Sequence, residues 1–108
     1  MYRLYIVEDD SGIAEAVAER ARSWGMDVRA AENFSDIMSE FARYSPHIVL
    51  MDVNLPFYNG YHWCSEIRRV SSVPIIFISS VQDEMNKVMA MNMGADDFIT
   101  KPFGIELL

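Results

Sequence analysis

The chain has 108 residues, 51% of them hydrophobic and 23% charged, which suits one folded domain and excludes a disordered segment. Sixteen acidic against nine basic residues give a net charge of -7, so a phosphate backbone repels it and the domain by itself is a poor DNA binder. One cysteine, Cys64, rules out an internal disulfide, and no apolar run reaches the roughly 20 residues of a membrane span. The apolar stretch after Met1 stops at Glu8, too soon for a signal peptide, so a cytoplasmic protein that makes no use of a membrane is expected.

Leu4-Tyr5-Ile6-Val7 reads as a first strand. Ile13, Ala14, Val17, Ala18, Ala21 and Trp24 then recur at steps of three and four and mark one apolar helix face, with Gly25 placed for a left-handed cap. Residues 26–31 read as a second, short strand. Asn33 or Ser35 is placed to cap a helix bearing Ile37, Met38, Phe41 and Tyr44, which Pro46 closes. Residues 47–51 are apolar after His47, as in a central strand buried on both faces.

A turn-rich loop over 54–60 leads into a helix with Trp63, Ile67 and Val70. Residues 73–78 predict a fourth strand, with Pro74 at its start where proline is tolerated. A helix over 83–93 should stop at Gly94, and 95–100 should form the fifth strand before Pro102. Met85, Met89, Met91 and Met93 suit core or interface gaps, because methionine packs adaptably. This alternation predicts an α/β fold, a doubly wound five-stranded parallel sheet of order 2-1-3-4-5. Its last helix is cut short, so a fragment of a longer protein is expected.

The chemistry gathers at the carboxyl ends of these strands, which share one edge where ligands bind. Glu8 and Asp9, Asp52, Ser79 and Lys101 each end or follow an apolar run. Carboxylates sharing one crevice repel unless a cation lies among them, and magnesium prefers hard oxygens in octahedral array. Asp9 and Asp52 suit direct ligation, Glu8 ligation through water, and the backbone carbonyl of Asn54 a further oxygen. Asp10 lies one residue further on, where it favours the positive end of the first helix. A strand-end carboxylate at Asp52 can attack a phosphoryl donor, with the Lys101 ammonium and the Ser79 hydroxyl opposing the charge that builds. His47 and His62 lack metal-ligand spacing. Tyr58, Tyr61 and Trp63 beside the site loop read as core or rim packing.

The segments I-V-E-D-D (6–10), V-L-M-D-V-N-L-P (49–56), I-F-I-S-S (76–80) and G-A-D-D-F-I-T-K-P-F (94–103) resemble the receiver domain of two-component response regulators. The resemblance spans the whole chain, and D-D-F-I-T-K-P-F is most similar to the OmpR/PhoB subfamily of transcription factors. It implies a flavodoxin-like fold, Asp52 as phosphoacceptor, Glu8 and Asp9 as the magnesium-holding pair, and Lys101 as the family's lysine. It implies Ser79 as the switch hydroxyl and Phe98 as the switch aromatic, which without a hydroxyl must work by packing. Asn54 and Val81 then stand at the positions that tune the lifetime of the phosphoryl group. The implied partners are a sensor histidine kinase and, once phosphorylated, a second copy. Lys87, Asp96 and Asp97 are placed for ion pairs between the two copies, and DNA is reached only through an effector domain outside this chain.

A haloacid dehalogenase-type phosphatase also uses a strand-end Asp, a Ser or Thr, a Lys and magnesium. It needs a second Asp two residues after the nucleophile as general acid, where this chain has Asn54. A flavodoxin would have to cradle phosphate at its first βα loop, where Glu8-Asp9-Asp10 repels it. A phosphoacceptor switch, not an enzyme with a separate substrate, is therefore expected.

Overall fold

A computed structural model describes residues 1–79, 92 and 95–100, with 79 and 98–100 described by backbone alone. Five parallel strands, β1 (Arg3–Val7), β2 (Asp27–Ala30), β3 (Ile48–Asp52), β4 (Ile75–Ser79) and β5 (Asp97–Thr100), form one sheet in the order β2-β1-β3-β4-β5. Between them run α1 (Ser11–Ser23), α2 (Ile37–Tyr44) and α3 (Gly60–Arg68). The expected order is the observed one. Of the helix expected over 83–93 only Asn92 is described, as helical and exposed; its methionines, Gly94 and the start of the last helix lie outside the described residues.

Both faces of the central strands are apolar because both are covered, as a parallel sheet requires. Tyr5, Val7, Val49, Met51, Ile75 and Phe77 pack with Ile37 and Phe41 of α2 and Trp63, Cys64 and Ile67 of α3. Leu4, Ile6 and Leu50 on the other face pack with Ala14, Val17, Ala18 and Ala21 of α1. Side chains such as Ile6, Ile75, Ile78 and Phe77 are wholly buried, and each contributes about 1.5–3 kcal/mol over an exposed position.

The element ends moved where local hydrogen bonds outcompeted composition. β2 is shorter than 26–31, because the Met26 N–H turns back to the Ala21 carbonyl. The cap of α2 is neither Asn33 nor Ser35 but Asp36, which accepts from the Ser39 N–H at 3.2 Å. Asn33 Oδ1 instead accepts from the backbone and hydroxyl of Ser35 in the turn before it. Ser45, not Pro46, closes α2, in the left-handed region at φ 50°. Trp24 and Val70, expected on buried helix faces, lie at or past helix ends and are exposed, because each helix stops before its next turn. Gly25 has φ +86° as expected, and Asp10 caps α1 by accepting from Gly12 and Ile13. Among the described residues no helix is long and apolar enough to cross a membrane.

A polar clamp crosses the core face of β1. The Tyr5 hydroxyl donates to Glu40 Oε1 at 2.6 Å, while Glu40 Oε2 accepts the N–H groups of Glu32 and Asn33. One carboxylate thus ties β1, α2 and the loop between β2 and α2.

Burial, then the bond to Glu40, holds the Tyr5 phenol protonated well above the usual tyrosine range. In the unfolded chain it ionises near pH 10, so above that pH the unfolded state binds fewer protons and stability falls as pH rises. Below it the contribution is fully present. Tyr5→Phe should cost about 1.5–3 kcal/mol at neutral pH and flatten the alkaline decline in urea unfolding measured from pH 9 to 11. Tyr44, raised by burial and its bond to Asp27, and Cys64, raised by burial, contribute to the decline that remains. Asp10→Ala should lower stability by about 1 kcal/mol in the same assay through loss of the α1 cap.

Candidate phosphoacceptor and metal site

The strand order reverses between β1 and β3: β1 leads outward to β2, while β3 leads the other way to β4 and β5. The carboxyl ends there open a crevice. The register pairs Val7 with Met51, so Glu8 leaves β1 at the level where Asp52 ends β3. Carboxylate oxygens of Glu8, Asp9 and Asp52 lie within 4.8 Å of one another. Glu8 and Asp52 are only 3% and 4% exposed, whereas Asp9 faces solvent.

Glu8 is oriented by the Asp10 N–H, which donates to its Oε2 at 3.1 Å. Asp10 therefore serves twice without joining the cluster, through its own N–H to Glu8 and its carboxylate to α1. Three carboxylates at this separation, two of them out of water, repel strongly because little solvent screens them. All the donors are hard oxygens and one edge is open, so the set fits a hard divalent cation that keeps part of its water. A shallow depression lies beside Glu8 and Asp9, lined also by Ser11, Ala30 and Phe34.

Asp52 is held from two sides. The Val53 N–H donates to the Ile78 carbonyl of β4, and the Gly60 N–H donates to the Val53 carbonyl at 2.9 Å. Asn54 is exposed in the loop two residues after Asp52. That loop contains a γ-turn: the Tyr58 N–H meets the Pro56 carbonyl around Phe57, whose φ is 69°. This is the strained form of the turn, and Phe57 is 78% exposed at its tip. Tyr58 stacks on His62 at 4.4 Å, and Tyr61 and Trp63 are buried, as rim and core packing.

Ser79 is the last residue of β4, one step beyond Ile78, which pairs with Asp52. Phe98 pairs with Phe77 in the register of β5. Lys101, Val81 and Lys87 lie outside the described residues. Asp96 has a role within the domain that the sequence did not suggest. Its Oδ2 accepts from Arg68 at 2.8 Å and from the Ile75 N–H at 2.8 Å, pinning α3 to the start of β4. Asp97 is exposed and pairs with Ile76, on the sheet face of α1. Sequence reasoning also passed over Gly60, although Asn59-Gly60 before an apolar-periodic run is a helix-start signal; Asn59 Oδ1 accepts from the His62 N–H at 3.0 Å.

The pattern of the family described as "Response regulator receiver domain" matches residues 4–108. The chain is 49% identical over its full length to the uncharacterized transcriptional regulatory protein YvcP of Bacillus subtilis, and 43% identical to the sensory transduction protein BceR of the same organism. It covers 46% and 47% of those two proteins, so it spans about half of their length. Among solved structures, the N-terminal domain of the nisin resistance regulator NsrR matches with a TM-score of 0.89 and 44% identity, over 99% of this chain and 91% of that one. The BeF3-activated receiver domain of Klebsiella pneumoniae RstA matches with a TM-score of 0.92 and 28% identity, over 97% and 90%. Buried acids converging at the switch point of a 2-1-3-4-5 sheet, and relatives of this closeness over the whole chain, lead to one conclusion: the chain belongs to the response regulator receiver domain family.

Proposed function

We propose that this domain is a phosphorylation-driven switch that accepts a phosphoryl group on Asp52 from a sensor histidine kinase in the cytoplasm. The observation that carries the reading is the convergence of Glu8, Asp9 and Asp52 at one sheet edge. A carboxylate oxygen of Asp52 forms the new bond to phosphorus as the donor's P–N bond breaks. The departing imidazole nitrogen keeps the electron pair. Attack by a carboxylate oxygen requires no general base. Magnesium, held by Glu8, Asp9, Asp52 and the Asn54 carbonyl, would supply positive charge against the phosphoryl oxygens.

Lys101 would set its ammonium on one of those oxygens and Ser79 its hydroxyl on another. The domain thus assists its own phosphorylation and dephosphorylation rather than turning over a separate substrate. Phosphorylation adds roughly two negative charges, and Ser79 and Phe98 are the residues we assign to the change of packing that follows. The output is dimerisation through a face that includes Lys87 and Asp97. Asp96 belongs to that face only through whatever its carboxylate offers beyond Arg68 and Ile75. YvcP is named as a transcriptional regulatory protein, which supports control of transcription through a DNA-binding domain outside these residues.

Intact mass after incubation with acetyl phosphate and magnesium should show one labile phosphoryl adduct. It should require the metal and vanish in Asp52→Asn; an adduct of equal yield on the variant would overturn the assignment. Valine at position 81 can neither orient nor deprotonate water, so the phosphorylated form should decay slowly. Val81→Gln should shorten its lifetime, and equal decay rates at matched pH and magnesium would remove that role.

A further inference from the structure

We propose that Gly60, the first residue of α3, is a positioning residue that fixes the Asp52 carboxylate for the cation; this rests on the metal-binding role of Glu8, Asp9 and Asp52 proposed above. Gly60 lies directly against the end of β3. A methyl group on its Cα would overlap the Asp52 carbonyl oxygen outright, stand 3.0 Å from the Asp52 carbonyl carbon and stand 2.9 Å from Cε1 of Phe77. Phe77 is itself fully buried and packed on Tyr61. The ring therefore cannot yield freely, and the backbone atoms cannot yield without moving Asp52.

The same residue donates its N–H to the Val53 carbonyl, so α3 begins seated on two successive peptide groups of the phosphoacceptor segment. Across the sheet, the Val53 N–H is held by Ile78 of β4. The backbone that carries Asp52 is thus gripped between β4 and the first turn of α3, and this fixes where its carboxylate starts from. A cation site of three carboxylates tolerates little misplacement, because every ligand oxygen must meet one small ion at once. Supporting residues around metal ligands typically change affinity by about 10–100-fold when altered. Gly60 differs from a mere space-saver in this respect: its loss should act on the site even in molecules that remain folded.

Calorimetric titration with magnesium chloride, paired with thermal unfolding, separates the two. Gly60→Ala should bind magnesium at least about tenfold more weakly per folded molecule. Ile67→Val, which removes a methyl group from the buried face of the same helix, should lower Tm yet keep the native affinity. Native affinity in folded Gly60→Ala, or equal weakening in both variants, overturns the positioning role. Absence of magnesium binding by the unaltered domain overturns the metal reading itself, and this inference with it. If Gly60→Ala does not fold, Asn59→Ala decides instead, because it loosens the same first turn at the cost of one cap. Weakened affinity there supports the proposal and unchanged affinity overturns it.

Discussion

Glu8 and Asp52 hold their carboxyl groups almost wholly out of water and close together, and keeping two buried acids at one strand edge is the constraint around which the rest of the domain is arranged. Ionised acids so close, where solvent screens little, persist only if the scaffold resists their separation. A central pair of parallel strands supplies that resistance. β1 and β3 are held in register from Leu4–Ile48 to Val7–Met51, so the acids cannot drift apart without breaking the ladder. A hard divalent cation is the group whose charge would offset such a cluster.

The supports are graded by how close they stand to the acids. Asp10 contributes its N–H to Glu8 and its carboxylate to the start of α1, so the first helix is anchored by the residue that orients Glu8. Gly60 seats α3 on the backbone of Asp52, and Asp96 ties α3 to β4 through Arg68 and the Ile75 N–H. Further out, Glu40 joins β1 to α2 through Tyr5. Each contact is local and modest. Together they leave the strand ends few ways to move independently.

The aromatic loop after Asp52 has a different character. Phe57 adopts a left-handed backbone at an exposed tip, while Tyr58, His62 and Trp63 form an edge-and-face cluster behind it. Those rings fasten the loop at its α3 end, and Pro56 stiffens the approach to the turn. The strain at Phe57 is confined to the tip, beyond the residues that grip Asp52.

Strand order, layer architecture and the identity of the acidic cluster were all readable from the chain itself, because period and punctuation are local properties of sequence. Apolar runs ending in Glu8 and Asp52 announce buried strands that deliver acids to one edge, and right-handed parallel crossovers leave few ways to order them. What the chain could not disclose were contacts between residues far apart, or choices between near-equivalent donors. Asp36 rather than Asn33 caps α2 because Asn33 is taken by Ser35. Asp96, assigned to a partner surface, meets Arg68, 28 residues away in sequence. Gly60 reads as an ordinary turn residue until α3 is laid against β3. Which chemistry gathers at the sheet edge follows from the chain alone, since residue types and strand ends are written along it. Which neighbours hold that chemistry in place is settled by packing, because steric overlap and hydrogen bonding across elements exist only once the elements meet.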